Sequence, residues 1–125
     1  MHVIEQTPPE PSAIAGIAHA TWAGSAEGLS QLSVWRQSVA PGGATPPHHH
    51  DCDEVVLCME GSGEVHIDGR PHRFGAAATL VLPKGKVHQI FNTGDVPLET
   101  IGIFAATPVG TLQPDGQAID LPWRT

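Results

Sequence analysis

His48, His50 and Glu54 stand at positions i, i+2 and i+6 of one short stretch, GGATPPHHHDCDEVVLCMEG, which runs from Gly42 to Gly61. In an extended chain alternate side chains share a face, so these three can point inward together while His49 points out. Imidazoles and a carboxylate converging inside a closed sheet are costly to bury unless something pairs them, and a divalent cation does so. His88, in the later stretch PKGKVHQIFN, is the candidate fourth ligand. Three neutral imidazoles and one carboxylate suit a single divalent transition metal such as Fe, Mn, Ni, Zn or Cu, and the lack of a thiolate argues against a closed structural zinc site. With six-fold coordination two positions stay open, for an oxygen pair on a substrate or for a substrate and O₂, and the chemistry expected is of Lewis-acid or oxygenase type. The chain has no tyrosine, so proton transfer falls to metal-bound water, a histidine or a carboxylate such as Glu54.

Other residue types add less. Arg36 is the one basic group in a predicted barrel strand and a candidate carboxylate clamp, with a surface or subunit-contact charge as its plainer role. Trp35 reads as core, interface or the flat wall of a pocket. Gln37, Phe91, Ile90, Phe104 and Met59 are candidates for the pocket lining. Asp51 and Asp53 are turn residues by type, one of which can accept from an imidazole N–H. Asn92 is read as a structural hydrogen bonder, His19 as a strand histidine at a surface or interface, and His66 and His72 as solvated. There is no GxSxG elbow, Walker loop or GxGxxG after a strand.

The elements that must position these residues are short strands. Fourteen Gly and twelve Pro in 125 residues fall between short apolar runs, which is the pattern of many turns joining many strands. Residues 13–22 are apolar and Ala/Gly-rich, a weak edge strand. Residues 30–39 alternate, with Leu32, Val34, Arg36 and Ser38 on one face and Ser33, Trp35, Gln37 and Val39 on the other. EVVLCME is apolar on both faces, one for the barrel and one for a second sheet or subunit. Asp68-Gly69 is a type I′ hairpin signal, Pro83-Lys84-Gly85 ends the strand AATLVL, and PDG at 114–116 marks a last hairpin. The sum is about nine strands and no segment of helical period, an all-β chain whose edges are removed by closure into a barrel or jelly roll.

Length and charge bound the rest. One domain is expected, with residues 1–12 as an extended, proline-rich arm and 13–125 as a single β-barrel domain whose core spans about 30–106. Six Lys+Arg against thirteen Asp+Glu give a formal charge of -7, which disfavours nucleic acid and anionic membranes as partners. Neither an apolar run of spanning length nor a basic, apolar leader is present, so the expected location is the cytoplasm. Cys52 and Cys58 would lie about 20 Å apart in an extended segment, too far for a disulfide, and are expected as reduced thiols.

At this point the residues carry a family resemblance. Gly42-x5-His48-x-His50-x3-Glu54-x6-Gly61 resembles the first signature of the cupin superfamily, and Pro83-x-Gly85-x2-His88-x3-Asn92 resembles the second. One departure is that the second signature usually opens with glycine six residues before its proline, where this chain has Ala77-Ala78. The resemblance implies a six-stranded barrel core within a jelly roll, or double-stranded β-helix, a metal on His48, His50, Glu54 and His88, and commonly a homodimer with exchanged N-terminal strands. The function expected is a mononuclear metal-dependent enzyme, a dioxygenase or related Lewis-acid catalyst, on a small, mainly apolar substrate with oxygen donors. A non-catalytic metal or small-ligand binding domain is the alternative. A sugar or sugar-phosphate isomerase or epimerase ranks behind both, because the basic residues a phosphate wants are nearly missing.

Overall fold

Short alternating segments separated by Gly and Pro build eleven strands in the computed structural model, which describes residues 2–125. In chain order they are β1 (Glu10–Pro11), β2 (Ile17–Ala23), β3 (Ser33–Val39), β4 (His49–His50), β5 (Glu54–Glu60), β6 (Ser62–Ile67), β7 (Arg70–Gly75), β8 (Thr79–Leu82), β9 (His88–Asn92), β10 (Leu98–Phe104) and β11 (Thr111–Leu112). A single 3₁₀ turn at Ser25–Glu27 is the only helical element among the described residues. All strand pairs are antiparallel. The chain is an all-β jelly roll.

One sheet has the order β1-β2-β3-β10-β5-β8 and a second the order β7-β6-β9. The β4–β11 pair extends the second sheet, because His48 and His88 exchange backbone hydrogen bonds of 3.0 and 2.8 Å and Ala44 bridges to Phe91. Alternation then decides what faces inward. Val56 and Cys58 from β5, Val65 from β6, Leu80 and Leu82 from β8, Ile90 from β9 and Leu98 from β10 fill the space between the sheets with Ile17 and Val39. A second cluster of Trp35, Cys52, Phe104 and Val109 fills the other end. Both cysteines are buried and free. The other face of the large sheet is also apolar: Val34, Val55, Leu57, Ile101 and Ile103 are half-buried on it and Val81 is exposed.

Several turns follow from their residues. Asp68 and Gly69 both have positive φ, 49° and 81°, as the two central positions of a type I′ turn require. Gly61 ends β5 at φ 93°, where a Cβ would lie 2.9 Å from the Pro97 carbonyl oxygen. Gly116 turns PDG, and Gln113 and Gln117 pair across it. Residues 13–22 are not an edge: β2 is hydrogen-bonded to β3 on one side and β1 on the other. The arm lies along its own domain, with Glu10 opposite His19 and the Trp22 indole donating to the Thr7 carbonyl at 2.8 Å.

The strand AATLVL starts late, at Thr79, because Ala77 is in the left-handed region at φ 67°. Its N–H bonds the Cys58 carbonyl at 2.9 Å, which holds the turn against the cost of its Cβ. That cost is about 1–2 kcal/mol for a non-glycine residue, against roughly 0.5–1 kcal/mol of extra chain entropy lost by a glycine. Ala77→Gly is therefore expected to stabilise the fold by up to about 1 kcal/mol, read as a higher urea midpoint at unchanged m-value; a lower midpoint would refute the strain.

Candidate metal centre and pocket

The two signatures meet because backbone pairing forces them to. His48 and His88 are cross-strand partners on the extended small sheet, and His50 follows two residues on with its side chain on the same face. Glu54 comes from the opposite sheet, at the first residue of β5, held between Leu82 of β8 and Phe104 of β10. Donor nitrogens of His48, His50 and His88 lie within 4.8 Å of one another, a set that could hold a metal ion. Glu54 Oε1 is 3.3 Å from His50 Nε2 and 3.4 Å from His88 Nε2.

Hydrogen bonds on the far side of each ring set the tautomers. The Nδ1 atoms of His48, His50 and His88 lie 2.6, 3.2 and 3.1 Å from the carbonyl oxygens of Pro46, Gly110 and Lys86. A carbonyl only accepts, so each Nδ1 carries the proton and donates it. Each Nε2 then presents a lone pair to the common centre. Glu54 Oε1 faces the lone pairs of His50 and His88, is fully buried and has no donor among the described residues. Acceptors so packed repel one another until a proton or a cation enters, and the donor set, three imidazoles and a carboxylate, fits a divalent transition metal. The orienting partners are backbone carbonyls, not Asp51 or Asp53. Asp51 acts one step out, accepting the Gly110 N–H at 3.0 Å, and Asp53 accepts the Lys84 N–H at 2.8 Å.

A cavity opens beside this cluster where the two hydrophobic clusters meet. Trp35, Phe104, Ile90, Val56, Leu121 and Trp123 supply apolar wall, and Gln37, Thr45, Thr100 and Thr111 the polar groups besides the candidate ligands. Gln37, Ile90 and Phe104 are where alternation puts them. Phe91 and Met59 are not: each is one residue out of phase with the wall, Phe91 packing on His66 at 4.6 Å and Met59 exposed. Arg36 also points away from the cavity. Its guanidinium is paired with Glu99 at 2.6 Å on the outer face, so nothing brings it to a ligand carboxylate. Asn92 is structural, donating to the Val39 and Val96 carbonyls and accepting from Gly94.

Three residues escaped sequence reasoning. Leu121 and Trp123 follow the last hairpin, and no local pattern shows that the chain returns there to the barrel mouth. His19 is buried at 8% exposure rather than at a surface, stacked on Trp123 at 4.0 Å. The indole N–H groups of Trp35 and Trp123 are buried without an acceptor.

Burial dominates the electrostatics. It pushes Glu54 from 4.5 up to about 8. Burial first, and then the neighbouring imidazoles, lower His50 to about 3 and His88 to about 4, and burial also lowers His48. In the metal-free protein Glu54 keeps a proton that the unfolded chain releases above pH 4.5, so stability falls as pH rises through about 8. The histidines act in the other direction: the unfolded chain protonates them below 6.5 and the folded chain does not, so stability also falls as pH drops from 6.5 toward 3. A divalent metal that takes Glu54 as a ligand at pH 7 would have to displace its proton. Binding is expected to release about one proton, seen as a titration enthalpy that depends on buffer ionisation and loses that dependence above about pH 9; a buffer-independent enthalpy at pH 7 would contradict the assignment.

The geometry has counterparts among known proteins. A family model described as "Cupin domain" matches residues 35–104. Auxin-binding protein 1 of Arabidopsis thaliana is 35% identical over 104 residues, 75% of this chain and 52% of that protein. Auxin-binding protein T92 of Nicotiana tabacum is 32% identical over 118 residues, 85% of this chain and 63% of that protein. The chain thus spans about half to somewhat under two-thirds of these curated relatives. Oxalate oxidase, solved in complex with the substrate analogue glycolate, superposes with a TM-score of 0.72 at 25% identity, covering 84% of this chain and 59% of that one. With the jelly roll, both signatures and the family match over more than half of its length, the chain belongs to the cupin family.

Proposed function

We propose that the protein is a mononuclear metal cupin that takes a small organic acid with a flat, apolar body. His48, His50, Glu54 and His88 hold the metal, and Trp35, Phe104 and Trp123 wall the acid. The observation that carries this reading is the buried Glu54 Oε1 facing the lone pairs of His50 and His88 with no donor among the described residues, in a cavity also lined by Trp35 and Trp123, whose buried indole N–H groups have no acceptor among those residues. A divalent cation bound there would supply the charge that draws a carboxylate or other oxygen pair into the cavity. The protein's own residues do the rest. Aromatic and aliphatic side chains exclude water and favour an apolar body, and Gln37, Thr45, Thr100 and Thr111 offer hydrogen bonds. No Lys or Arg lines the cavity, so a phosphorylated sugar finds no counter-charge there besides the metal. The names of the auxin-binding relatives point to the same ligand class.

Turnover of such an acid by oxygen chemistry is the second reading, and the likeness to oxalate oxidase with glycolate favours it. Beyond the candidate metal ligands the cavity wall carries no side chain that ionises near neutrality, so a catalytic role would rest on the metal and Glu54. The apolar outer face of the large sheet suits the expected homodimer.

Elemental analysis of protein purified without added metal is expected to show about one divalent ion per chain, falling to a small fraction in His88→Ala. Undiminished metal in that variant would remove the four-ligand site. Calorimetry with the auxin indole-3-acetic acid is expected to show binding to zinc-loaded protein that a chelator abolishes. Oxygen uptake by Fe(II)-loaded protein with a panel of small acids would shift the assignment to the oxygenase, and none would leave the binding role.

A further inference from the structure

His19 of β2 sits directly across from Gln37 of β3. It is buried, face to face with Trp123 at 4.0 Å and 10°, and edge-on to Trp35 at 5.2 Å. Its two ring nitrogens are both engaged: Nε2 lies 2.7 Å from Thr21 Oγ1 and Nδ1 lies 3.0 Å from Gln37 Nε2. The direction of these bonds can be deduced from one end. Thr21 has a single hydroxyl proton, and it goes to the Arg124 carbonyl at 2.7 Å, because that oxygen can only accept. Thr21 Oγ1 must then accept from His19 Nε2–H. Burial first, and Arg124 second, keep the imidazole neutral by lowering it to about 4. A neutral ring protonated on Nε2 has a bare Nδ1, so Gln37 must turn its NH₂ toward it.

The Gln37 carboxamide is thereby polarised. One of its two N–H donors goes to His19, while its carbonyl oxygen has no protein partner among the described residues and the side chain lines the cavity. A flipped amide would present donors there in place of the acceptor. The other end of the chain is the C-terminal segment, seated by the Thr21 bond, by Arg124 donating to the Thr21 carbonyl at 3.1 Å, and by the Arg124–Glu27 pair at 3.1 Å. That segment carries Trp123 over the pocket.

We infer that His19 is a positioning residue for the ligand pocket: through the one-way chain Arg124 C=O, Thr21, His19, Gln37 it ties the seating of the Trp123 segment to the amide orientation of Gln37, whose carbonyl oxygen is kept for an N–H or O–H donor on the ligand. The proposed ligand is thus a small acid that also carries a hydrogen-bond donor. This second clause rests on the small-acid reading above; the hydrogen-bond chain does not.

Two measurements separate them. ¹⁵N spectra of the ligand-free protein report the tautomer of His19 directly. The Nε2–H form is expected in the wild type and a mixture in Thr21→Val, although Thr21 does not line the cavity; an Nδ1–H wild type, or a tautomer indifferent to Thr21, overturns the inference. The second is the affinity of zinc-loaded protein for indole-3-acetic acid against its N-methyl analogue, which differ by one donor. The wild type is expected to favour the N–H acid by about five- to tenfold, the worth of one hydrogen bond. His19→Gln keeps a donor near Thr21 but offers nothing at Nδ1, and should erase the preference, while Thr21→Val, with its mixed tautomers, should reduce it. His19→Asn places an amide oxygen near Nδ1 and should keep it. Equal losses in His19→Gln and His19→Asn, or no change in any variant, would make His19 mere packing and overturn the role. If neither acid binds the wild type, the small-acid reading fails and the tautomer measurement alone decides the positioning role.

Discussion

Lone pairs converging on one buried point are the constraint on which this structure turns. Three imidazoles are each pinned from behind by a backbone carbonyl, and the Nε2 atoms of His50 and His88 face Glu54 Oε1 at 3.3 and 3.4 Å. Left so, the cluster works against folding, since burying a carboxylate without a partner costs several kcal/mol. The metal-free protein pays by keeping Glu54 protonated and its histidines neutral. A cation bound there would reverse this, taking the place of the Glu54 proton and giving the imidazole lone pairs a common partner. The cluster is a candidate cation site set between sheets whose facing side chains form the core.

That packing and the site share their elements. Val56 and Ile90 belong to the main core and also line the cavity; Trp35 and Phe104 belong to the second cluster and also form its wall. Strands β3, β5, β9 and β10 thus contribute both to the core and to the cavity wall. The supports are backbone groups of turns: Pro46 before β4, Lys86 before β9 and Gly110 before β11 orient the three rings. Backbone supports make the site depend on turn geometry more than on side-chain identity: the Pro46 carbonyl holds the His48 ring, and Gly85, at φ 78°, donates its N–H to the His50 carbonyl at 3.2 Å.

The opposite end of the pocket is governed by hydrogen-bond polarity. His19, Thr21, Gln37 and the Arg124 carbonyl have only one self-consistent arrangement of protons. A metal centre attracts anions with little discrimination; a fixed amide in the wall can tell a donor from none. A charged metal at one end and a fixed amide at the other would be separate levers on one ligand.

Much of this was legible in the residue order, and the boundary is instructive. His48, His50 and Glu54 share a face because strand period is two, and His88 joins them because antiparallel pairing sets it opposite His48. The same alternation places Trp35 and Gln37 inward and Arg36 outward, yet it could not say that Glu99 would claim the guanidinium. Phe91 and Met59, candidates for the lining, are out of phase with the inward residues of their strands, and the structure turns them away from the cavity. Ala77 departs from the glycine of the second signature, and the backbone takes the left-handed turn regardless, held by the Cys58 carbonyl. What the chain order determined by itself was periodic and local: strands, tight turns and ligand spacing, all set within a few residues by sterics and side-chain chemistry. What only the tertiary structure decided was the closure of the pocket by Leu121 and Trp123, and with it the burial of His19, because contacts across some hundred positions of sequence depend on where the whole barrel delivers its last segment.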